Sequence, residues 1–388
     1  MGAADAFTLI GDPDLNRTQG FVRAANSAGV DVVVWPYSRA LAGDWPSAAS
    51  GRTAWTKIES PGRNPATHQL LLNRGANRVE SCFSTWLERE PFPLGSGLVR
   101  ASRQWFHGWC DLLQEIDRVG AACGLNFVNA PPDIVTMFDK AACHALLQAA
   151  GVPVPVALAP PQNLDELLAT MEKTSTRRVF VKTCHGSAAN GVVALAMHRG
   201  GLRAHTALEL ARRSEQMQLH ATRRVRVYDT PAQVRQLIDA LCRERVHVEE
   251  WVPKAGLLGR TIDVRVVVIS DRACHVVLRG GHGPITNLHL GSIKADEEIL
   301  VRAAGSAGVN LVRTTAERAA ACFPKSRCMG IDLALTPGFR KAFVLEVNAF
   351  GDLLEGSDWL GADTYTWQVR ALLKQDWPPP KSQPTQVS

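Results

Sequence analysis

Asp332, Glu346 and Asn348 are the residues of this chain whose types and spacing point most directly to chemistry. Asp332 lies in the apolar run Met329-Gly330-Ile331-Asp332-Leu333-Ala334-Leu335. Glu346 and Asn348 lie in Phe343-Val344-Leu345-Glu346-Val347-Asn348, and a turn at Thr336-Pro337-Gly338 separates the two runs. Side chains two apart on a strand share a face, so Glu346 and Asn348 point the same way. A hairpin turning near Phe339 sets Asp332 opposite Glu346. Three hard oxygen donors then converge, as a Mg2+ ion shared with nucleotide phosphates requires. Acids among buried apolar residues are costly unless paired or metal-bound. Read alone, the two strands also fit an ordinary acidic hairpin whose carboxylates face water or form salt bridges.

Cations and small residues elsewhere suit an anionic ligand. Lys182 ends an apolar strand and is followed by Cys184-His185-Gly186-Ser187-Ala188-Ala189-Asn190-Gly191. Small residues there let backbone N–H groups approach phosphate oxygens while the lysine supplies charge. The loop joins two strands and lacks the GxxxxGK[ST] order, so it is not a Walker A loop. Most strand–Gly–strand segments are plain hairpins. Cys184-His185 has metal-binding residue types without companions nearby. Lys140 follows Asp139 within a helix, on a surface made less polar by Met137, Phe138, Ala141 and Ala142. Glu249-Glu250-Trp251-Val252 ends a buried strand, whose exposed backbone groups could hold a purine edge. Asp263 and Arg265 share a face of the next strand, either paired with each other or divided between a sugar and a phosphate. Arg279 opens into Gly280-Gly281-His282-Gly283-Pro284, then Asn287-Leu288-His289. A Gly-rich segment between an arginine and an Asn/His pair suits a substrate-facing loop, though His282 and His289 read first as structural.

The elements that must carry these residues fall into two patterns. Phe7–Ile10, an amphipathic stretch Gln19–Ala28 ended by Gly29, and Asp31–Trp35 form a β-α-β unit of an open parallel sheet. The aromatic run Trp105-Phe106-His107-Gly108-Trp109 reads as helix packing, with Arg63 and Trp105 as weaker candidates to face a ligand. Phe127-Val128-Asn129 reads as a strand. A helix opens at Pro131-Pro132, with Asp133 as N-cap, and runs through Ala150. Gly151, Pro153 and Pro155 stop it and mark a boundary. The second half is mainly antiparallel: strands at 178–182, 191–195, 246–252, 262–269 and 274–279, with helices between. The expected class is α/β followed by α+β.

Composition sets the outer bounds. The 388 residues suffice for two or three packed units. Hydrophobic content of 46% and charged content of 21% fit a folded enzyme rather than a disordered chain. The net charge of +6, with Arg spread along the chain, does not call for nucleic acid and suits a small anionic ligand. Nine scattered cysteines, with no CxxC pair, read as reduced thiols in a cytoplasmic protein. No signal peptide and no membrane span are expected. The Pro-rich tail at 376–388 reads as disordered.

Taken in order, these segments resemble the ATP-grasp superfamily from about Asn129 to Leu354, closest to the ribosomal-protein glutamate ligase-like group. The carrying residues are Asp139-Lys140, Gly151-Val152-Pro153-Val154-Pro155, Lys182 with Gly186-Ser187 and Gly191-Val192, Glu249-Glu250-Trp251-Val252, Asp263-Val264-Arg265, Asn287-Leu288-His289-Leu290-Gly291, Gly330-Ile331-Asp332 and Leu345-Glu346-Val347-Asn348. No single piece is specific; their common order is. The resemblance implies a pre-grasp α/β domain at 1–128 and an ATP-grasp domain at 129–375, whose two α+β subdomains clasp ATP. Lys140, Lys182 and Asn287 would contact phosphates, and the loop Gly186, Ser187 to Gly191 would close over them. Glu249, Glu250, Trp251 and Val252 would hold adenine, and Asp263 ribose. Asp332, Glu346 and Asn348 would bind two Mg2+ ions, with Mn2+ as a substitute. Arg265 and Arg279 would stabilise the transferring phosphoryl group or the acyl phosphate.

The implied activity is ligation of a carboxylate to an amine through an acyl phosphate, on small-molecule or peptide substrates, without nucleic acid or membrane. The family is often dimeric or tetrameric. Kinase chemistry and a non-catalytic ATP-binding regulatory module are the alternatives. The chain departs from the common pattern in the long stretch Pro253–Arg260, in Thr183 where proline is frequent, and in the middle of the N-terminal domain.

Overall fold

The computed structural model describes residues 6–45, 53–62, 64–87, 91–186, 190–213, 216–257, 259–286, 293–350, 354 and 357–377. Strands β1 (Ala6–Ile10), β2 (Asp31–Trp35) and β3 (Thr53–Ile58) form a parallel sheet in the order β2-β1-β3. Between and after them come α1 (Asn16–Ser27), α2 (Tyr37–Leu41) and α3 (Pro65–Gly75). Gly29 ends α1 with a φ of 76°, as the sequence suggests. Phe127-Val128-Asn129 does not form a strand. Phe127 makes one parallel bridge to Thr56, and Asn129 one bridge to Ser326. The Asn129 amide is spent on bonding Cys328 O and Ala349 O.

The long helix α4 (Ser102–Cys123) crosses α3 backbone to backbone. A Cβ on Gly75 would lie 1.9 Å from Gln104 O, and one on Gly108 would lie 1.9 Å from Leu71 O. The aromatic run packs as expected: Trp109 is fully buried and meets Tyr37 edge-on at 5.8 Å. Trp105 stacks on Trp109 at 6.1 Å and is a packing residue.

The helix expected from Pro131 to Ala150 is two helices, α5 (Pro131–Phe138) and α6 (Lys140–Ala149). Asp139 between them is extended (φ −91°, ψ 103°), and its Oδ1 accepts from Ala141 N and Ala142 N. A capping side chain thus starts a new helix where hydrophobic periodicity alone continues the old one. Asp133 is not an N-cap. Ala130 holds that position, and Asp133 accepts from Ser326 Oγ at 2.8 Å.

Two antiparallel sheets follow. The first contains β4 (Ala157–Leu158), β5 (Arg178–Thr183), β6 (Val192–His198), β7 (Gly201–Arg213), β8 (Gln216–Tyr228) and β9 (Val246–Glu250), in the order β4-β9-β5-β6-β7-β8. Helices α7 (Leu164–Lys173) and α8 (Pro231–Leu241) share a core of Leu167, Met171, Val179, Leu195, Leu237 and Val248 with this sheet. The second sheet contains β10 (Gly256–Leu257), β11 (Arg260–Ile269), β12 (Arg272–Gly281), β13 (Ile293–Asp296), β14 (Cys328–Leu335) and β15 (Ala342–Asn348). Its order is β13-β12-β11-β14-β15, with β10 beside β11. It packs on α9 (Glu297–Ala320), which is interrupted at Gly305, while α10 (Thr364–Leu373) packs beside α1. Among the described residues no helix is long and apolar enough to cross a membrane.

One contact ties the first antiparallel sheet to α4. Glu244, following α8, is 2% exposed and accepts from Ala101 N (3.0 Å), Ser102 N (2.8 Å), Ser84 Oγ and Ser102 Oγ. Ala101 has the left-handed φ of 60°, which aims these two N–H groups together. Beside it, Val99 N bonds Leu219 O and Ala221 N bonds Gly97 O. Burial outweighs the donors and raises the Glu244 carboxyl from 4.5 to about 7. The folded state therefore holds an extra proton between those values, and its stability contribution falls as pH rises through that window. The stability difference between wild type and Glu244→Gln should shrink from about pH 5 to about pH 8, measured by urea unfolding at both ends.

Candidate active site

The β14–β15 hairpin has the register its spacing requires: Asp332 opposes Glu346 and Gly330 opposes Asn348. The chain reverses through Pro337–Phe339, where Gly338 and Phe339 have positive φ, and Thr336 N closes the turn on Lys341 O. A register shift beyond Asp332 leaves Leu345 without an opposing residue. Glu346 lies 3.1 Å from the Lys140 ammonium, and Asn348 Nδ2 reaches Gly330 O at 3.4 Å.

Asp332 is buried with both arginines of the sequence reading. Arg265 lies opposite it on β11 and donates through Nε and Nη2, the latter at 2.9 Å to Oδ2. Arg279 on β12 donates to Asp332 Oδ1 at 2.9 Å and to Asp263 Oδ1 at 2.7 Å. Burial pushes the Asp332 carboxyl up, but the Arg265 and Arg279 guanidiniums override it and hold it low, at about 2. Asp263 and Arg265 thus do not pair with each other; each finds its partner on a neighbouring strand. Asp263, expected at a ribose, is only 3% exposed, and Thr286 Oγ1 donates to its second oxygen. The Lys254 ammonium lies 3.5 Å from that oxygen, 2.7 Å from Thr286 Oγ1 and 3.3 Å from Pro284 O. Lys254 escaped the sequence reading; its signal was a lysine directly after Pro253 where one antiparallel sheet hands over to the other.

Lys182 on β5 lies opposite His247 of β9 and bonds Glu249, two residues further along that strand. Burial again raises the Glu249 carboxyl, and Lys182, with His247, brings it down to about 2. The lysine pair borders a cleft lined by Lys140, His144, Lys182, His247, Glu249 and Glu346 among others. The lining pairs two lysines with two carboxylates; with Lys254, Arg265, Arg279, Asp263 and Asp332 of the neighbouring sheet counted in, cations exceed carboxylates by one, a small positive excess for an anion.

Beyond the cleft, β9 ends at Glu250, two residues earlier than the sequence suggests at Val252. Glu250 is exposed. Trp251 packs on Phe180 at 5.4 Å, with Arg178 over its ring. Gly186 and Gly191 both abut Thr183: a Cβ on either would lie 2.4–2.5 Å from its hydroxyl oxygen. Thr183 fills that space, and its hydroxyl bonds Asn190 O at 3.3 Å. Ser187, Asn287, His289 and Arg63 lie outside the described residues, and His282 is exposed.

Among the described residues no three His, Cys, Asp or Glu side chains are grouped to hold a metal. The oxygen set here is instead two carboxylates and an amide, Asp332, Glu346 and Asn348, which register brings side by side. All-oxygen donors of this kind fit Mg2+; both Asp332 oxygens also accept from Arg265 and Arg279, so a bound ion would share that carboxylate with the guanidiniums.

Comparison with solved structures places the fold. The chain matches the ligase PsnB, solved with the precursor peptide PsnA2 and AMPPNP, at TM-score 0.52 and 17% identity, over 97% of this chain and 99% of that one. It matches D-cycloserine synthetase DcsG at 0.55 and 13%, over 95% and 99%. It matches D-alanine–D-alanine ligase from Bacillus anthracis with ATP at 0.50 and 10%, over 96% and 97%. The chain has the ATP-grasp fold. No family model and no curated protein matches it. At these identities the likeness reaches the ATP-grasp fold and not the substrates.

Asp332→Asn should destabilise the protein by about 3–5 kcal/mol, because it leaves two buried guanidiniums short of one negative charge. Guanidinium unfolding checks it. In the wild type, the contributions of Asp332 and Glu249 are present above the ordinary carboxylate pKa and are lost as pH falls towards about 2.

Proposed function

We propose that this chain is an ATP-dependent ligase joining a carboxylate to an amine through an acyl phosphate. The observation that carries the reading is the Asp332–Glu346 pair, with Asn348 two residues on, meeting Lys140 at 3.1 Å across a cleft that also holds Lys182. PsnB, DcsG and D-alanine–D-alanine ligase are ligases or synthetases by name and support it. Residues 1–128 would be the pre-grasp domain and 129–375 the ATP-grasp domain.

In this reading Lys140 and Lys182 hold the nucleotide phosphates, exchanging part of their contact with Glu346 and Glu249 for phosphate oxygens. The loop from Gly186 to Gly191, with Ser187, covers them, and Asn287 adds a donor. Glu249 to Val252 border the base. Asp332, Glu346 and Asn348 would hold Mg2+, which when bound supplies charge neutralisation for phosphoryl transfer. A carboxylate oxygen of the substrate attacks the γ-phosphorus, the bond to the β-phosphate oxygen breaks, and ADP leaves. An amine then attacks the acyl carbon, the acyl–phosphate bond breaks, and the amine gives up a proton. Arg265 and Arg279 keep the surrounding field positive while charge spreads over the transferring group. Excluding water protects the acyl phosphate from hydrolysis. The precursor peptide bound by PsnB makes peptide carboxylates candidates beside small acids.

The test is ADP and phosphate release with Mg-ATP against a panel of acids and amines. Release should require one of each and vanish in Glu346→Ala, whose circular dichroism should match wild type. Release that needs only one acceptor would show a kinase. Unchanged turnover in Glu346→Ala would overturn the metal assignment.

A further inference from the structure

His185 lies outside every role given above, yet it sits where three segments of the nucleotide cleft meet. Its side chain is fully buried, and its ring stacks on Phe106 of α4 with centroids 3.9 Å apart and planes 11° from parallel. Its Nε2 lies 3.2 Å from Asp139 Oδ2. The same oxygen accepts from Arg245 Nη1 at 2.5 Å, while Oδ1 caps α6. Backbone bonds close the knot: Lys140 N donates to Cys184 O (3.2 Å), Cys184 N to Arg245 O (2.8 Å) and Lys140 Nζ to Gly186 O (2.5 Å).

We infer that His185 is a positioning residue for the nucleotide phosphates. Through Asp139 it locks the segment 184–186 to the N-terminus of α6, so that the Lys140 ammonium and the Gly186 backbone it bonds are held in one place for the ligand. This rests on the nucleotide-binding part of the proposed function. Two features set the geometry. The carboxylate has one oxygen per task, capping on Oδ1 and the loop on Oδ2. Burial keeps the imidazole neutral, with its pKa pulled down to about 4, so a proton on Nε2 faces Asp139 and Nδ1 is left without a hydrogen-bond partner. Asp139 is in turn held below the ordinary carboxylate range; burial opposes this, and His185 and Arg245 prevail. Lys140 is adjacent in sequence to the carboxylate that His185 holds, so a turn of Asp139 displaces the start of α6 and its lysine together.

The test separates donor from ring. His185→Phe keeps an aromatic ring on Phe106 and removes the donor. His185→Gln keeps an N–H at the Nε2 position and removes the stack. Binding of Mg-AMPPNP to the full chain, by calorimetry, should weaken about 10-fold in His185→Phe and stay within about 3-fold in His185→Gln, because misplaced phosphate contacts act on affinity. Melting temperature should fall more in His185→Gln. Affinity that follows melting temperature across the two variants would make His185 merely structural and overturn the inference, as would wild-type affinity in His185→Phe. Wild-type protein that binds no nucleotide would overturn this inference and the proposed function together. Nucleotide binding lost in His185→Phe, in a protein that releases ADP with one acceptor only, would keep the inference and end the ligase reading.

Discussion

Asp263, Arg279, Asp332 and Arg265 form one continuous charge ladder across β12, β11 and β14, and the position of everything else in the cleft depends on it. Asp263 lies directly opposite Arg279, and Arg265 directly opposite Asp332. Arg279 also reaches Asp332, so the two cross-strand pairs are joined. All four side chains are less than 9% exposed. Burying such charges is costly unless every one is paired, so the strands have a single register in which they can lie side by side. A slip of one residue would turn the ladder into the apolar face occupied by Val264, Val266 and Leu333. The ladder therefore fixes β14 and, through it, where β15 presents Glu346 and Asn348.

The lysines around the cleft follow a different logic. Lys140 and Lys182 each rest on one carboxylate, Glu346 and Glu249, at the border of the cavity rather than inside the sheet. A lysine held this way is oriented before a ligand arrives, and an anion need only share it rather than order it. Arg265 and Arg279 are already bound on several atoms, and their planar forks are rigid. Under the proposed function their contribution to a phosphate would be a fixed positive field, whereas the lysines would supply contacts that can move. The sequence reading set the lysines on phosphates and the arginines at the transferring group; the structure adds that the arginines are buried in the ladder and the lysines border the cleft.

Much of the site was legible because strand rules are local. The i, i+2 rule and a single turn placed Glu346, Asn348 and Asp332, and the register agrees. Pairing across strands was harder. Asp263 and Arg265 were readable as same-face neighbours, but their partners, Arg279 and Asp332, depend on strand order, which no local pattern carries. The break at Asp139 was hidden because Met137, Phe138, Ala141 and Ala142 continue a helical pattern; a buried carboxylate decided otherwise. Lys254 and Thr286 were invisible for the same reason as Arg245. Each is an ordinary polar residue until a distant segment brings it a charged partner.

The helix α4 shows how these local and distant constraints combine. Its middle is buried through Trp109, Leu112 and Leu113 in the same core as β11, β14 and β15. Its N-terminus is instead gripped by Glu244, beside the sheet that carries Lys182, and one turn later Phe106 stacks on His185. One rigid element therefore touches both walls of the cleft. A 22-residue helix spans about 33 Å at the ordinary rise, long enough to reach from one core to the other. Gly75 and Gly108 matter for the same reason: the close crossing holds the strut against α3. The separation of the two antiparallel sheets, and with it the width of the cleft, is thus set by α4 as well as by the strands that bear the charged groups.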